Sequence, residues 1–251
     1  MDQIMTQKRI GLITGANRGI GLETARQLAQ KEVFVVLTSR KLEDAEAAVE
    51  LLNSEGIIDL MALKLDVTLA EDRSLAVHFL SEHFGRLDIL VNNAGLSTPE
   101  GNLTEPVVSA VSERELREVF GINLFAVVLL TQALLPLLKM SKAGRIVNVS
   151  SQLGSLTLHA TRAQRVAYNK RFAYNASKAA LNMFTILLAQ ELEQTNIKVN
   201  SVHPGWVRTR TGGDAAPLEP AEGAGMSLEA ALLDKGSPTG TFLEREGSLP
   251  W

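Results

Sequence analysis

The sequence predicts one α/β domain built on a doubly wound parallel sheet of about seven strands, with helices on both faces. Short apolar, β-branched runs alternate with amphipathic helical segments nearly to the end of the chain, the rhythm of βαβ units. The runs also lack the period-two alternation of strands that keep one face in water, so both faces are predicted to be buried. A chain of 251 residues, 45% of them apolar, can fill such a core, and no repeat, heptad or linker divides it, so residues 1–251 read as one unit.

In order, Arg9–Thr14, Val33–Ser39, Leu60–Asp66, Ile89–Asn92, Arg145–Ser150 and Lys198–His203 read as strands, with a weaker seventh over Thr239–Leu243. Between them Gly21–Lys31, Leu42–Glu55, Glu71–Phe84, Glu113–Met140 and Ala173–Gln194 carry apolar residues at helical spacing. Each crossover is predicted to be right-handed. One stretch breaks the rhythm: Gly212, Gly213, Pro217, Pro220, Gly223 and Gly225 crowd the segment from Thr211 to Gly225, ahead of an amphipathic Leu228–Leu233 with Ser227 as its cap. Its place after the sixth strand, at the carboxyl edge of the sheet, predicts a substrate lid over residues 209–233.

Composition excludes several kinds of chemistry. With 25 Lys+Arg against 28 Asp+Glu and a net charge of −3, there is no basic stripe for nucleic acid. With no cysteine, disulfides, iron–sulfur clusters and thiolate zinc sites are out. His78, His83, His159 and His203 have no zinc-binding spacing, so no metal is expected. Met1–Arg9 lacks the basic and apolar regions of a signal peptide. The most apolar run, Leu124 to Leu138, is broken by Thr131, Gln132 and Pro136 and falls short of the roughly 20 residues of a membrane span. A soluble, cytoplasmic chain with no membrane partner is the expectation.

The first strand runs into Thr14-Gly15-Ala16-Asn17-Arg18-Gly19-Ile20-Gly21, where a helix begins. Three glycines let the chain turn tightly and let a pyrophosphate approach backbone N–H groups at a positive helix end. A plain strand-to-helix turn would also use glycine, but the placement between first strand and first helix favours a dinucleotide. An NAD site wants a carboxylate at the end of the second strand, and here stand Thr38, Ser39, Arg40 and Lys41. Arg40, Lys41 and Arg18 together offer three cations for a ribose 2′-phosphate, so NADP(H) is predicted.

Tyr174 and Lys178 lie four residues apart in the fifth helix and share one face, so the ammonium can favour the phenolate. An ordinary phenol titrates at about 10, and a nearby cation brings it toward use near neutrality.

Taken together, Thr14–Gly21, Asn92-Asn93-Ala94-Gly95, Asn123, Ser150-Ser151, Tyr174/Lys178 and Pro204-Gly205-Trp206-Val207-Arg208-Thr209 occur in an order that resembles the short-chain dehydrogenase/reductase family over essentially the whole chain. The last of these segments, with Pro238–Phe242 and Leu249-Pro250-Trp251, looks most like NADPH-dependent carbonyl reductases. The resemblance implies a Rossmann-type fold and a set of roles. Tyr174 would be the general acid and base, Lys178 would hold the nicotinamide ribose and act on the tyrosine, and Ser151 would bond the substrate oxygen. Asn123 would anchor a water leading from Lys178 to solvent. Gly15, Asn17, Arg18, Gly19, Ile20, Gly21, Ser39, Arg40 and Lys41 would hold phosphates and adenosine ribose, and Asp66 and Val67 the adenine. Asn93, Ala94 and Gly95 would line a ribose or merely end a strand, and Pro204, Gly205, Val207 and Thr209 would meet the nicotinamide end. Trp206 would wall the substrate pocket or pack beneath the lid.

The chain departs from the family's pattern in the separation of 23 positions from Ser151 to Tyr174. The insertion, residues 152–173, carries His159, Arg162, Arg165, Lys170 and Arg171 without an acid between Gln152 and Ala173. It reads either as an anion-attracting rim or, with more weight, as a solvated helical insertion. It puts the tetramer common in the family in doubt; a homodimer fits, with monomer and tetramer open. The insertion also holds Tyr168, but Phe172 stands where a lysine partner would be, so Tyr174 is the expected acid. The expected activity is reversible, NADPH-dependent reduction of aldehydes or ketones. A 3-oxoacyl thioester reductase, a secondary-alcohol dehydrogenase and a non-catalytic dinucleotide sensor are the rivals.

Overall fold

The computed structural model describes residues 8–99, 108–167 and 171–251. Its frame is one sheet of eight strands in the order β3-β2-β1-β4-β5-β6-β7-β8. β1 (Ile10–Ile13), β2 (Phe34–Ser39), β4 (Ile89–Asn92) and β5 (Arg145–Val149) are buried at every position. β6 (Lys198–Val202) is buried beyond its first residue, and β3 (Leu60–Lys64), at one edge, is only partly covered.

Because alternate side chains leave a strand on opposite faces, each strand feeds two cores. Ile10, Leu12, Phe34 and Val36 join Leu80, Leu130, Leu134 and Leu188 on one side. Those partners come from α3 (Ala70–Phe84), α5 (Ala126–Lys139) and α8 (Phe172–Glu191). Ile13, Val35 and Leu37 join Leu28, Leu52, Met226 and Ala230 on the other, from α1 (Gly19–Ala29), α2 (Leu42–Ser54) and α9 (Pro220–Leu232). Strand order reverses between β1 and β4, which opens a crevice at their carboxyl ends.

The sheet departs from the prediction at its far edge. β7 (Phe242–Glu244) begins later than Thr239 because Gly240, at φ 69°, turns the chain, and Thr239 Oγ1 accepts from Val199 N–H at 3.0 Å. β8 (Gly247–Ser248) then pairs antiparallel with β7, so the sheet has eight strands rather than about seven and is mixed rather than wholly parallel.

The helix expected over Glu113–Met140 is three pieces: α4 (Glu113–Phe120), a π-helical turn over Gly121–Phe125, and α5. Among the described residues, Glu113–Lys139 is the stretch long and apolar enough to cross a bilayer; in this fold Leu130, Leu134 and Leu138 from it lie in the core.

The irregular segment expected up to Gly225 ends earlier. Pro220 opens α9, where Glu219 and Glu222 form a reciprocal capping box. Ser227, expected as a cap, is a fully buried mid-helix residue. Gly223 sits inside the helix because a β-carbon there would lie 2.5 Å from Val207 Cγ2. α9 packs along α1 beside the glycine loop, so the loop in front of the sheet is confined to residues 203–219.

Candidate active site

A cleft of about 920 Å³ runs along the carboxyl ends of the central strands, within the usual range for small-molecule sites. One end is built from backbone. Gly15 and Gly19 adopt φ of 62° and 56°, which side-chain-bearing residues rarely do. A β-carbon on Gly21 would lie 2.4 Å from Asn93 Nδ2 and 2.5 Å from the Gly15 carbonyl oxygen. The loop is tied down from behind: Asn93 Nδ2 donates to the carbonyls of Thr14 (2.8 Å) and Gly15 (3.0 Å), and Thr14 Oγ1 accepts from the N–H groups of Asn93 and Ala94. Arg18, in extended conformation, is the residue before α1. The loop therefore leaves a cradle open at a helix N-terminus, which fits a diphosphate.

Arg18, Arg40 and Lys41 are exposed, line this end of the cleft and pair with no carboxylate among the described residues. Ser39 and Asn17 line it too, and Asp44 in the first turn of α2 borders it.

The next corner shows what sequence reasoning missed. Asp66 and Val67 line the cleft, and consecutive residues of α3 hold them. Asp72 Oδ2 accepts from Asp66 N–H at 2.8 Å, and Arg73 Nη1 donates to the Val67 carbonyl at 2.8 Å. Burial pushes the Asp72 carboxyl up, but the bonds from Asp66 N–H and Lys64 outweigh it and hold its pKa below the ordinary value. In sequence, an acid in the first turn of a helix looks like a partner for the helix dipole; only its burial at 4% exposure marks a different task.

At the other end, α8 presents Tyr174 and Lys178 to the cleft. Lys178 Nζ lies 5.7 Å from the centre of the Tyr174 ring and donates to the Val149 carbonyl at 2.8 Å. Burial alone pushes the ammonium's pKa down to about 8, so it remains cationic near neutrality. The π-turn aims Asn123 inward, where its Oδ1 accepts from Leu96 N–H and its Nδ2 donates to the Leu96 carbonyl and to Ser177 Oγ. Gly95 lies between: a β-carbon there would be 3.4 Å from Asn123 Oδ1 and 3.7 Å from Lys178 Nζ. Ser151 follows β5 and lines the cleft, its Oγ accepting from Leu153 N–H at 3.2 Å.

Pro204, Gly205, Val207 and Thr209 line the cleft beyond β6. Thr209 Cγ2 would be 3.4 Å from a β-carbon on Gly19, so this loop faces the glycine loop directly. Trp206 also lines the cleft and is 46% exposed, with Nε1 donating to the Gly212 carbonyl. His203, at the floor of the cleft, has its pKa pushed down to about 4 by burial, with the Glu244 carboxylate pulling it up and Arg165 pushing it down.

Among its described residues the insertion forms the short helices α6 (Leu156–Ala160) and α7 (Gln164–Ala167). Arg165 is ion-paired with Glu244 at 2.6 Å, His159 Nε2 contacts the Leu153 carbonyl, and Arg171 lines the cleft. Tyr168, Asn169 and Lys170 lie outside the described residues.

A mixed, doubly wound sheet with a glycine cradle at one end of its crevice and a Tyr/Lys helix at the other defines a nicotinamide-dependent oxidoreductase class. The sequence model of the family described as short chain dehydrogenase matches residues 9–218, and the chain belongs to the short-chain dehydrogenase/reductase family. It is 37% identical to "Short-chain dehydrogenase anuI" of Penicillium roqueforti, over 94% of this chain and 92% of that protein. It is 33% identical to (−)-isopiperitenone reductase of Mentha piperita, over 96% and 98%. The fold matches the crystal structure of an NADPH-bound carbonyl reductase from chicken fatty liver with a TM-score of 0.82 at 29% identity, over 97% of this chain and 99% of that one.

Proposed function

We propose that this chain reduces aldehyde or ketone carbonyls to alcohols with NADPH, reversibly, with Tyr174 as the general acid and base. The observation that carries the reading is the buried Lys178 ammonium, fixed by the Val149 carbonyl 5.7 Å from the Tyr174 ring. A cation in that place stabilises negative charge on the phenol oxygen, so Tyr174 gives its proton to the substrate oxygen in reduction and takes it back in oxidation. Ser151 Oγ, oriented by Leu153 N–H, donates to the same oxygen as charge builds on it. Asn123, wedged between Leu96 and Ser177, would anchor a water connecting Lys178 to solvent, a route by which the proton that Tyr174 gives up is replaced.

The glycine loop would cradle the diphosphate, Arg18, Arg40 and Lys41 the 2′-phosphate, Asp66 and Val67 the adenine, and Thr209 the nicotinamide amide or diphosphate. When bound, the nicotinamide supplies the hydride. The loop over 205–219 takes the role of lid, and Trp206 walls the substrate side.

A panel of aldehydes and activated ketones, run with NADPH and NADH in parallel, tests the reading. Loss of NADPH absorbance with several carbonyls, much slower with NADH, is expected. Tight NADPH binding without turnover across the panel would instead make the protein a dinucleotide sensor.

A further inference from the structure

Ser151 is followed by a tight turn, Gln152–Gly154, whose first two residues line the substrate end of the cleft. One side of this turn is flush against α8: a β-carbon on Gly154 would lie 2.7 Å from the Lys178 carbonyl carbon. The insertion holds its other side. Arg165 Nε donates to Gln152 Oε1 at 2.6 Å, and Gln152 Nε2 donates back to the Arg165 carbonyl at 3.1 Å. The outer edge of the same guanidinium meets Glu244 of β7 in a fork, Nη1 to Oε1 at 3.2 Å and Nη2 to Oε2 at 2.6 Å. His159 adds a contact to the Leu153 carbonyl at 3.0 Å, and Thr157 N–H donates to the Trp251 carbonyl at 2.9 Å.

We propose that Arg165 is a positioning residue for the substrate: anchored by Glu244, it holds Gln152 and so sets the shape of the wall beside Ser151 that selects which carbonyl substituents fit. Only a planar fork can serve Gln152 and a bidentate carboxylate at once, so lysine is not a substitute. The Arg165 side chain is 40% exposed and that of Glu244 14% exposed, so the guanidinium reaches from the surface to the turn beside Ser151 and is fixed there by a carboxylate largely shielded from water. The inference rests on the reductase reading above.

The test compares wild type, Arg165→Ala, Arg165→Lys, Gln152→Ala and the Arg165→Ala/Gln152→Ala double variant, with phenanthrenequinone as a bulky rigid probe and cyclohexanone as a small one. KM for the bulky probe is expected to rise roughly three- to tenfold in each single variant, with kcat little changed and the preference between probes altered. NADPH affinity is expected to stay at the wild-type value. The double variant is expected to be no worse than either single one, because Arg165 acts through Gln152. Amide hydrogen exchange at Leu153 and Gly154 is expected to quicken in Arg165→Ala, with the core strand residue Val91 unaffected. Additive KM effects, full rescue by lysine, or unchanged KM and exchange would overturn the proposal. If wild type turns over neither probe, the reductase reading falls and the substrate role falls with it, while the exchange data still report on the clamp itself.

Discussion

The two ends of the cleft are built in opposite ways. At the cofactor end the groups that would meet the phosphates come from two short runs of sequence: Gly15, Gly19 and Gly21 shape one loop, which Asn93 ties down from behind, and Arg40 and Lys41 follow directly on β2. The substrate end is made by contacts between distant segments, such as Arg165 with Glu244, 79 positions apart, and the Val207–Leu218 bridge that folds the 203–219 loop onto itself. Within one family the first end can stay constant while the second is rebuilt, since lengthening an insertion or loop leaves the glycine cradle untouched.

The contrast can be broken at either end. Apart from Tyr174 itself, the largest effect is expected from Lys178→Met, which removes the cation beside Tyr174: kcat should fall by about two orders of magnitude, measured as NADPH oxidation at saturating carbonyl. Its pH behaviour is a second check. Because the folded pKa is lowered to about 8, wild-type activity should decline as pH rises through that value and the ammonium is lost. Stability has the opposite slope: between pH 8 and the ordinary lysine value near 10.4, the unfolded chain holds a proton the folded one has given up, so stability rises with pH there.

Next in size is the Arg18→Ala/Arg40→Ala double variant. NADPH affinity should fall by roughly one to two orders of magnitude while NADH affinity changes little, read by quenching of tryptophan fluorescence. Equal losses for both cofactors would remove the basis for the 2′-phosphate assignment.

Asp72→Asn should weaken NADPH binding only about three- to tenfold, because it loosens the Asp66–Val67 corner and leaves the phosphate cradle intact. A drop as large as that of the arginine pair would mean that Asp72 supports far more than this corner.

The smallest effect concerns His203, at the floor of the cleft, which feels the charges of Glu244 and Arg165 from the substrate end. Its folded pKa lies below the unfolded value, so the unfolded chain takes up a proton first as pH falls from about 6.5 to 4. Wild type should lose stability over that window, and His203→Asn should flatten this loss in thermal melts. Parallel curves for the two proteins would show that His203 does not titrate in this way.

The same contrast explains what could be read from the residues. The alternation of apolar runs with amphipathic segments implied the buried parallel core, because a strand covered on both faces has no polar side to show. The glycine loop and the Tyr174/Lys178 pair were visible because each is a local pattern with its own chemistry. Asp72 was not, since an acid in the first turn of a helix needs no special reason until its burial is seen. The end of α9 was legible as the amphipathic Leu228–Leu233, but its first turns were missed because Gly223 and Gly225 disfavour helix in isolation, whereas the fold accepts Gly223 for its close approach to Val207. Arg165 looked like one of several surface cations, and only the hairpin of β7 and β8 supplies the carboxylate that engages it.

The central claim is that Tyr174 gives the proton to the carbonyl oxygen, and the most direct measurement is a comparison of Tyr174→Phe with Tyr168→Phe in NADPH-dependent carbonyl reduction, with NADPH affinity measured on both. Tyr174→Phe should bind NADPH but lose about two to four orders of magnitude in kcat, while Tyr168→Phe should keep near wild-type turnover. Substantial turnover in Tyr174→Phe, or an equal loss in Tyr168→Phe, would contradict that claim.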